Sequence, residues 1–160
     1  MSKYNAKRVT VDGIVFDSKV EAEYYELLKL EKGTGGVKDF DIQPVFELQP
    51  KYTHEGKTIQ PIKYIADFTV YNSDGTVEIV DIKGMETPVF KLKAKMFRYQ
   101  NPDKTLVLLA YSKIDGGFIT PEQLKVNRAK RKEERAIKKA QKEKEKAEKA
   151  RLREEKKNGK

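Results

Sequence analysis

Two short strand-like segments, Tyr64-Ile65-Ala66-Asp67-Phe68 and Val80-Asp81-Ile82-Lys83-Gly84, flank the turn sequence Asn72-Ser73-Asp74-Gly75, and the turn dictates how they pair. A three-residue loop of Ser73, Asp74 and Gly75, with Gly75 left-handed, pairs Asn72 with Thr76 and sets Asp67 opposite Asp81. Alternation along the strands then puts Asp67, Asp81 and Lys83 on one face, with Ala66, Phe68, Val80 and Ile82 on the other. Facing carboxylates repel, so pairing gives no reason to keep them, whereas a divalent cation between them turns repulsion into coordination. The apolar face is expected to pack and the charged face to stay open.

The segments around this hairpin complete an α/β core. Asp12-Gly13 supplies the two positive-φ positions of a tight turn between Val9-Thr10-Val11 and Ile14-Val15-Phe16. A helix follows from Asp17 or Ser18, with Val20, Tyr24, Leu27 and Leu28 as its apolar stripe and Gly33-Thr34-Gly35-Gly36 as its stop. Residues 42–49 read as a strand weakened by Pro44, and residues 52–57 as a polar loop. Thr87-Pro88 caps a second helix running to about Gln100. The continuous apolar run Thr105 to Tyr111 is a buried strand, so strand, helix and strand make a crossover whose last strand is parallel to that of Asp81.

Charge divides the chain in two. Residues 120–160 carry 17 of the 34 Lys and Arg but only 8 of the 25 Asp and Glu, so residues 1–119 are balanced at 17 each. The expected organisation is a core of residues 1–119 and a basic tail of residues 120–160, mostly helical or partly disordered, beginning at Pro121. Such a tail fits a phosphate-binding arm; it also fits a solvated helix with Glu and Lys at helical spacing, as in Glu134 with Lys138. The tail bases are Arg128, Lys130, Arg131, Lys132 and Arg135. Cysteine is absent, which removes disulfides and thiolate ligation of zinc. No apolar run approaches the roughly 18 residues that span a bilayer, and a soluble, intracellular, cytoplasmic protein is expected.

The chemistry these residues permit is that of a hard cation and a phosphate. Magnesium takes one or two carboxylates together with waters and substrate phosphate, which Asp67 and Asp81 offer, and the backbone carbonyl of Ile82 is a further candidate ligand. Such a cation activates water at neutral pH. Lys83, beside two acids, stays protonated and can stabilise charge developing on a phosphate. Glu21 lies on one helical line with Tyr25 and Leu28 and is a candidate third acid; it equally completes a capping box with Ser18. Lys91, Lys95 and Arg98 form a basic stripe on the second helix, opposite Phe90, Ala94 and Phe97, suited to DNA phosphates or to plain solvation. His54, the lone histidine, sits in the polar loop and is more simply incidental than a general base.

At these residues the sequence resembles the PD-(D/E)XK nuclease superfamily. Ile65-Ala66-Asp67-Phe68 corresponds to that family's first strand motif, with Ala66 in place of the usual proline, and Asp81-Ile82-Lys83-Gly84 to the second. Phe16-Asp17-Ser18-Lys19-Val20-Glu21 looks like its opening helix, which favours Glu21 as an active-site acid, directly or through water. The similarity covers about residues 8–111 and is nearest in form to phage endonuclease I type Holliday-junction resolvases and small phage proteins of unassigned function. It implies a restriction-endonuclease-like fold of helix, three-stranded antiparallel meander, helix and parallel strand, here with an N-terminal hairpin and a long basic C-terminal helix. It further implies a Mg2+-dependent (or Mn2+-dependent) endonuclease of branched or structured DNA, active as a homodimer in recombination. The catalytic set would be Glu21, Asp67, Asp81 and Lys83. A phage nicking or repair nuclease is the alternative, and a non-catalytic nucleic-acid-binding protein is the second.

Overall fold

The computed structural model describes residues 7–82 and 86–158, with side chains as far as Arg151. Strands β1 (Val9–Val11) and β2 (Ile14–Phe16) pair through Asp12 and Gly13, both at positive φ as a tight two-residue turn requires. The turn is held to the first helix, α1 (Lys19–Thr34): the Asp12 carboxylate accepts from the Tyr25 hydroxyl at 3.0 Å and from Lys29 Nζ at 2.6 Å. At the other end Gly35 adopts φ 85°, and the Gly36 N–H closes the last turn onto the Glu31 carbonyl at 2.9 Å. The helix buries Ala22, Tyr24, Tyr25 and Leu28, a stripe rotated slightly from the expected one, with Val20 and Leu27 half-buried at its margin.

A five-stranded mixed sheet is the centre of the fold. Its strands are β3 (Val37–Ile42), β8 (Phe68–Asn72), β9 (Val77–Ile82), β10 (Thr105–Ser112) and β11 (Gly117–Ile119), in the spatial order β11-β10-β9-β8-β3. Only β9 and β10 are parallel, and α2 (Pro88–Gln100) links them as the crossover helix, capped by Thr87 with Pro88 in its first turn. One face packs on α1 through Phe68, Val70 and Val80; the other packs under α2, where Ile79 meets Phe90, Ala94 and Phe97.

Between β3 and β8 the chain builds more strand than its sequence announces. Residues 42–49 divide into the end of β3 and a new strand, β4 (Val45–Gln49), because Gln43 takes φ 51° ahead of Pro44. The segment read as a polar loop is itself a hairpin, β5 (Tyr52–His54) with β6 (Lys57–Ile59), turned by Glu55 and Gly56 at positive φ. Strand β7 (Ile62–Ile65) pairs back with β4. Thus β3-β4-β5 and β6-β7-β8 are the two arms of one long ribbon. It bends where Gln43 and Pro44 face Ala66 and Asp67, and its ladder is interrupted again at Pro50 and Pro61, prolines that break the pairing without ending the ribbon.

The last helix, α3 (Pro121–Asn158), is not detached from the core at its start. Leu124 is buried, and Asp115 accepts hydrogen bonds from Ser112, Asn127 at 2.9 Å and Arg131. From Lys132 to Arg151 every side chain is exposed. The bonds from Arg131 and then Ser112 hold the Asp115 carboxyl down to about 2. Because that lies below the ordinary carboxylate value of about 3.9, the anchor is complete above about pH 4 and is lost as pH falls towards 2. Amide protection in the first turns of α3, relative to the intrinsic exchange rate at each pH, should fall across that window, and Asp115→Asn should show the lower protection already at neutral pH; equal protection in variant and wild type would refute the anchor.

Candidate active site

The loop Ser73-Asp74-Gly75 forms as its sequence dictates: Gly75 has φ 89° and the Asn72 N–H donates to the Thr76 carbonyl at 2.9 Å. Phe68 is consequently opposite Val80, and one step on, at the very end of the ladder, the Asp67 N–H donates to the Val80 carbonyl at 3.0 Å. Asp67 therefore stands beside Asp81. Its carboxylate accepts the Ile82 N–H at 2.5 Å, so it reaches across to the residue that follows Asp81.

Asp81 is fully buried and accepts the Tyr64 hydroxyl at 2.6 Å. Burial drives the Tyr64 phenol far above its ordinary value, followed by the charge and hydrogen bond of Asp81 and the charge of Asp67, with Arg98 acting in the opposite sense. Tyr64 is thus a neutral donor held against the Asp81 carboxylate, within electrostatic reach of Asp67. Strict alternation conceals it, since a residue three places before Asp67 belongs to the opposite face of a straight strand. The bend between β7 and β8 cancels that offset, and Pro44 on the facing arm is the signal in the sequence that the strands are not straight.

The same bend revises the expected faces. Ala66 packs with Tyr64, Ile79 and Phe97 under α2 rather than opposite Ile82, and the face bearing Asp81 is covered, not open. A small side chain at 66 is what the kink accommodates, since Ala66 is itself buried beneath the helix. Of the two acids only Asp67 remains partly accessible.

Glu21 closes a capping box. Its carboxylate accepts the Ser18 hydroxyl at 2.8 Å and the Asp17 N–H at 3.1 Å, while its own N–H donates to Ser18 Oγ at 3.2 Å. Helix α1 packs on the Phe68 and Val80 face, whereas Asp81 points to the Ile79 face. Among the described residues, no group of three or more His, Cys, Asp or Glu is placed to hold a metal ion. Lys83 and Gly84 lie outside the described residues.

The candidate DNA-contacting bases divide by environment. Lys91, Lys95 and Arg98 are exposed on α2, with Lys91 Nζ 3.9 Å from Glu86, and Arg98 is near enough to Tyr64 to act on it electrostatically. Arg128, Lys130, Lys132 and Arg135 are exposed on α3, while Arg131 is turned inward onto Asp115. Among the described residues no helix is long and apolar enough to cross a membrane.

An α/β architecture with a mixed sheet and flanking helices is nuclease-like in its general form. No protein with a curated description matches the chain. The sequence model described as "Protein of unknown function (DUF1064)" matches residues 1–119, and the chain accordingly belongs to the DUF1064 family.

Proposed function

We propose that the protein is a magnesium-dependent endodeoxyribonuclease acting on branched or otherwise structured DNA. The observation that carries this reading is the Asp67 carboxylate lying across the Asp81–Ile82 link, which gathers two acids and the start of the Asp-Ile-Lys sequence at one end of the sheet. Nothing in strand pairing rewards adjoining carboxylates. Their donor set suits the cation in kind, hard oxygen ligands, two of them anionic; because Asp81 is fully buried, water and a substrate phosphate would complete the shell from the side of the partly accessible Asp67. Asp67 and Asp81 would hold Mg2+, with the Ile82 carbonyl as a further ligand, and the bound ion would supply Lewis-acid activation of water and phosphate.

The chain's own groups have separate tasks in this scheme. Tyr64 fixes the Asp81 carboxylate, and Asp67 is fixed by the Ile82 N–H, so both acids are oriented before substrate arrives. Lys83 would stabilise the charge that grows on the phosphate as water attacks. Glu21, bound into the capping box on the α1 side of the sheet, would have to release Ser18 and Asp17 before it could orient water. The bases of α2 and α3 would supply affinity without sequence preference, because phosphate contacts position a duplex and base contacts specify it. Symmetric cutting of a junction calls for two sites, and hence for a homodimer.

A panel of labelled four-way junction and linear duplex, in magnesium and in EDTA, tests the proposal with wild type and Asp81→Ala. Magnesium-dependent cleavage by the wild type alone, stronger on the junction, is expected. Equal cleavage of linear duplex by a monomer would replace the junction reading with a nicking or repair nuclease. DNA binding without any magnesium-dependent cleavage would leave a non-catalytic binding protein.

A further inference from the structure

The end of the ribbon, β5 with β6, has no structural task that its surroundings reveal. Every residue from Pro50 to Gln60 is exposed, including Tyr52 and Ile59, which a packed hairpin would bury. Its register is regular: Tyr52 faces Ile59, Thr53 faces Thr58 and His54 faces Lys57. Directly paired residues share a side and alternate pairs share the same side, so Tyr52, His54, Lys57 and Ile59 line one surface of the ribbon. Lys51, Lys57 and Lys63 outnumber Glu55 across residues 50–63, which gives this projection a positive sign.

A bare two-stranded ribbon is one of the two protein elements that the major groove of B-DNA admits. We propose that the β5–β6 tip enters the major groove of duplex DNA, a role that rests on DNA being the substrate, and holds one duplex arm at a fixed offset from Asp67 and Asp81. The ribbon bends at Asp67, and Ile59 lies eight residues before it. At about 3.3 Å per residue the reach is at most about 26 Å, or about eight base pairs at roughly 3.4 Å each. Lys57 and His54 bring groups suited to base edges and phosphates, and Ile59 and Tyr52, on the same surface, bring apolar surface for thymine methyls. Such contacts fix where along an arm the acids meet a phosphodiester. They also favour DNA over duplex RNA, whose major groove is too deep and narrow for a ribbon.

The test is a binding measurement in EDTA, independent of catalysis. Wild type and the Tyr52→Ala/His54→Ala/Lys57→Ala triple variant are titrated against a labelled DNA duplex long enough to span ribbon and acids, and against the same sequence as duplex RNA. The variant should bind DNA about tenfold or more weakly, with RNA affinity unchanged. Methylation of guanine N7, a major-groove atom, should interfere with wild-type binding and not with the variant. Melting temperature controls for folding, and Lys57→Glu is the substitute should the triple variant not fold. DNA affinity within twofold of wild type, equal losses on DNA and RNA, or no methylation interference would each overturn the proposal. Cleavage in magnesium with an ineffective tip removes this inference alone, whereas tip-dependent binding without cleavage removes the nuclease reading alone.

Discussion

Replacing Phe97 by alanine should lower the unfolding free energy by about 3–5 kcal/mol, the usual cost of emptying an aromatic site in a closed core. Phe97 has no exposed surface, and its ring meets Phe46 edge-on at 4.8 Å and lies 5.3 Å from Tyr64. The loss falls on the elements that carry the candidate site. Phe46 belongs to β4, Tyr64 to β7 and Phe97 to α2, so one ring locks the bent ribbon under the crossover helix. With total stability commonly about 5–15 kcal/mol, the variant should melt early or fail to accumulate. Leu92→Ala is the control on the same helix: at 61% exposed it should change stability by no more than about 0.5 kcal/mol. Urea unfolding of the two variants decides the matter, and similar costs would show that the α2 cluster is not packed as described.

The second large effect is chemical. Asp67→Asn should reduce magnesium-dependent cleavage by on the order of a thousandfold while leaving the melting temperature nearly unchanged. Asparagine keeps an oxygen acceptor for the Ile82 N–H, so that bond at the end of the β8–β9 ladder is retained while the negative charge is removed. Asp67→Ala differs in kind, because it also orphans that N–H at a cost of about 1–3 kcal/mol. A comparison of the two separates the carboxylate's structural work from its chemistry. Were Asp67→Asn fully active, Asp67 would be a strand-end cap and nothing more.

How much of this was legible follows from the range over which each signal acts. The turns at Asp12-Gly13 and Ser73-Asp74-Gly75, the caps at Ser18 and Thr87 and the parallel crossover into Thr105–Tyr111 are written in adjacent residues, and they form where the sequence places them. The pairing of Phe68 with Val80 follows from the loop alone. The ribbon is harder to read, because Pro44 weakens a strand reading of residues 42–49 and the polar residues 52–57 resemble a loop. The two arms instead pair across these segments and bend together at Gln43 and Asp67. The bend decides the site: a straight strand hides Tyr64 and leaves Asp81 exposed, whereas the bent one brings Tyr64 to within 2.6 Å of Asp81 and buries it. Arg131 was hidden in a different way, since its partner Asp115 lies on a segment whose 3-10 turn, Lys113–Asp115, has no strong sequence mark.

Glu21 shows where sequence alone holds two readings at once. The Ser18 to Glu21 spacing satisfies both a capping box and an active-site acid, and the bonds to Ser18 and Asp17 are those of the cap. Substituting Glu21 by glutamine removes the charge and keeps one of the two capping acceptors, so its effect on cleavage is read against its melting temperature to report the second role separately.

If Asp67 and Asp81 hold a divalent cation for phosphodiester hydrolysis, single-turnover cleavage of branched DNA depends on magnesium concentration and on both acids. The expected result is no product in EDTA, a rate that rises to saturation with magnesium in the wild type, and no measurable rise in Asp67→Asn at equal DNA occupancy. Cleavage that persists in EDTA, or a magnesium response in Asp67→Asn equal to that of the wild type, would contradict it.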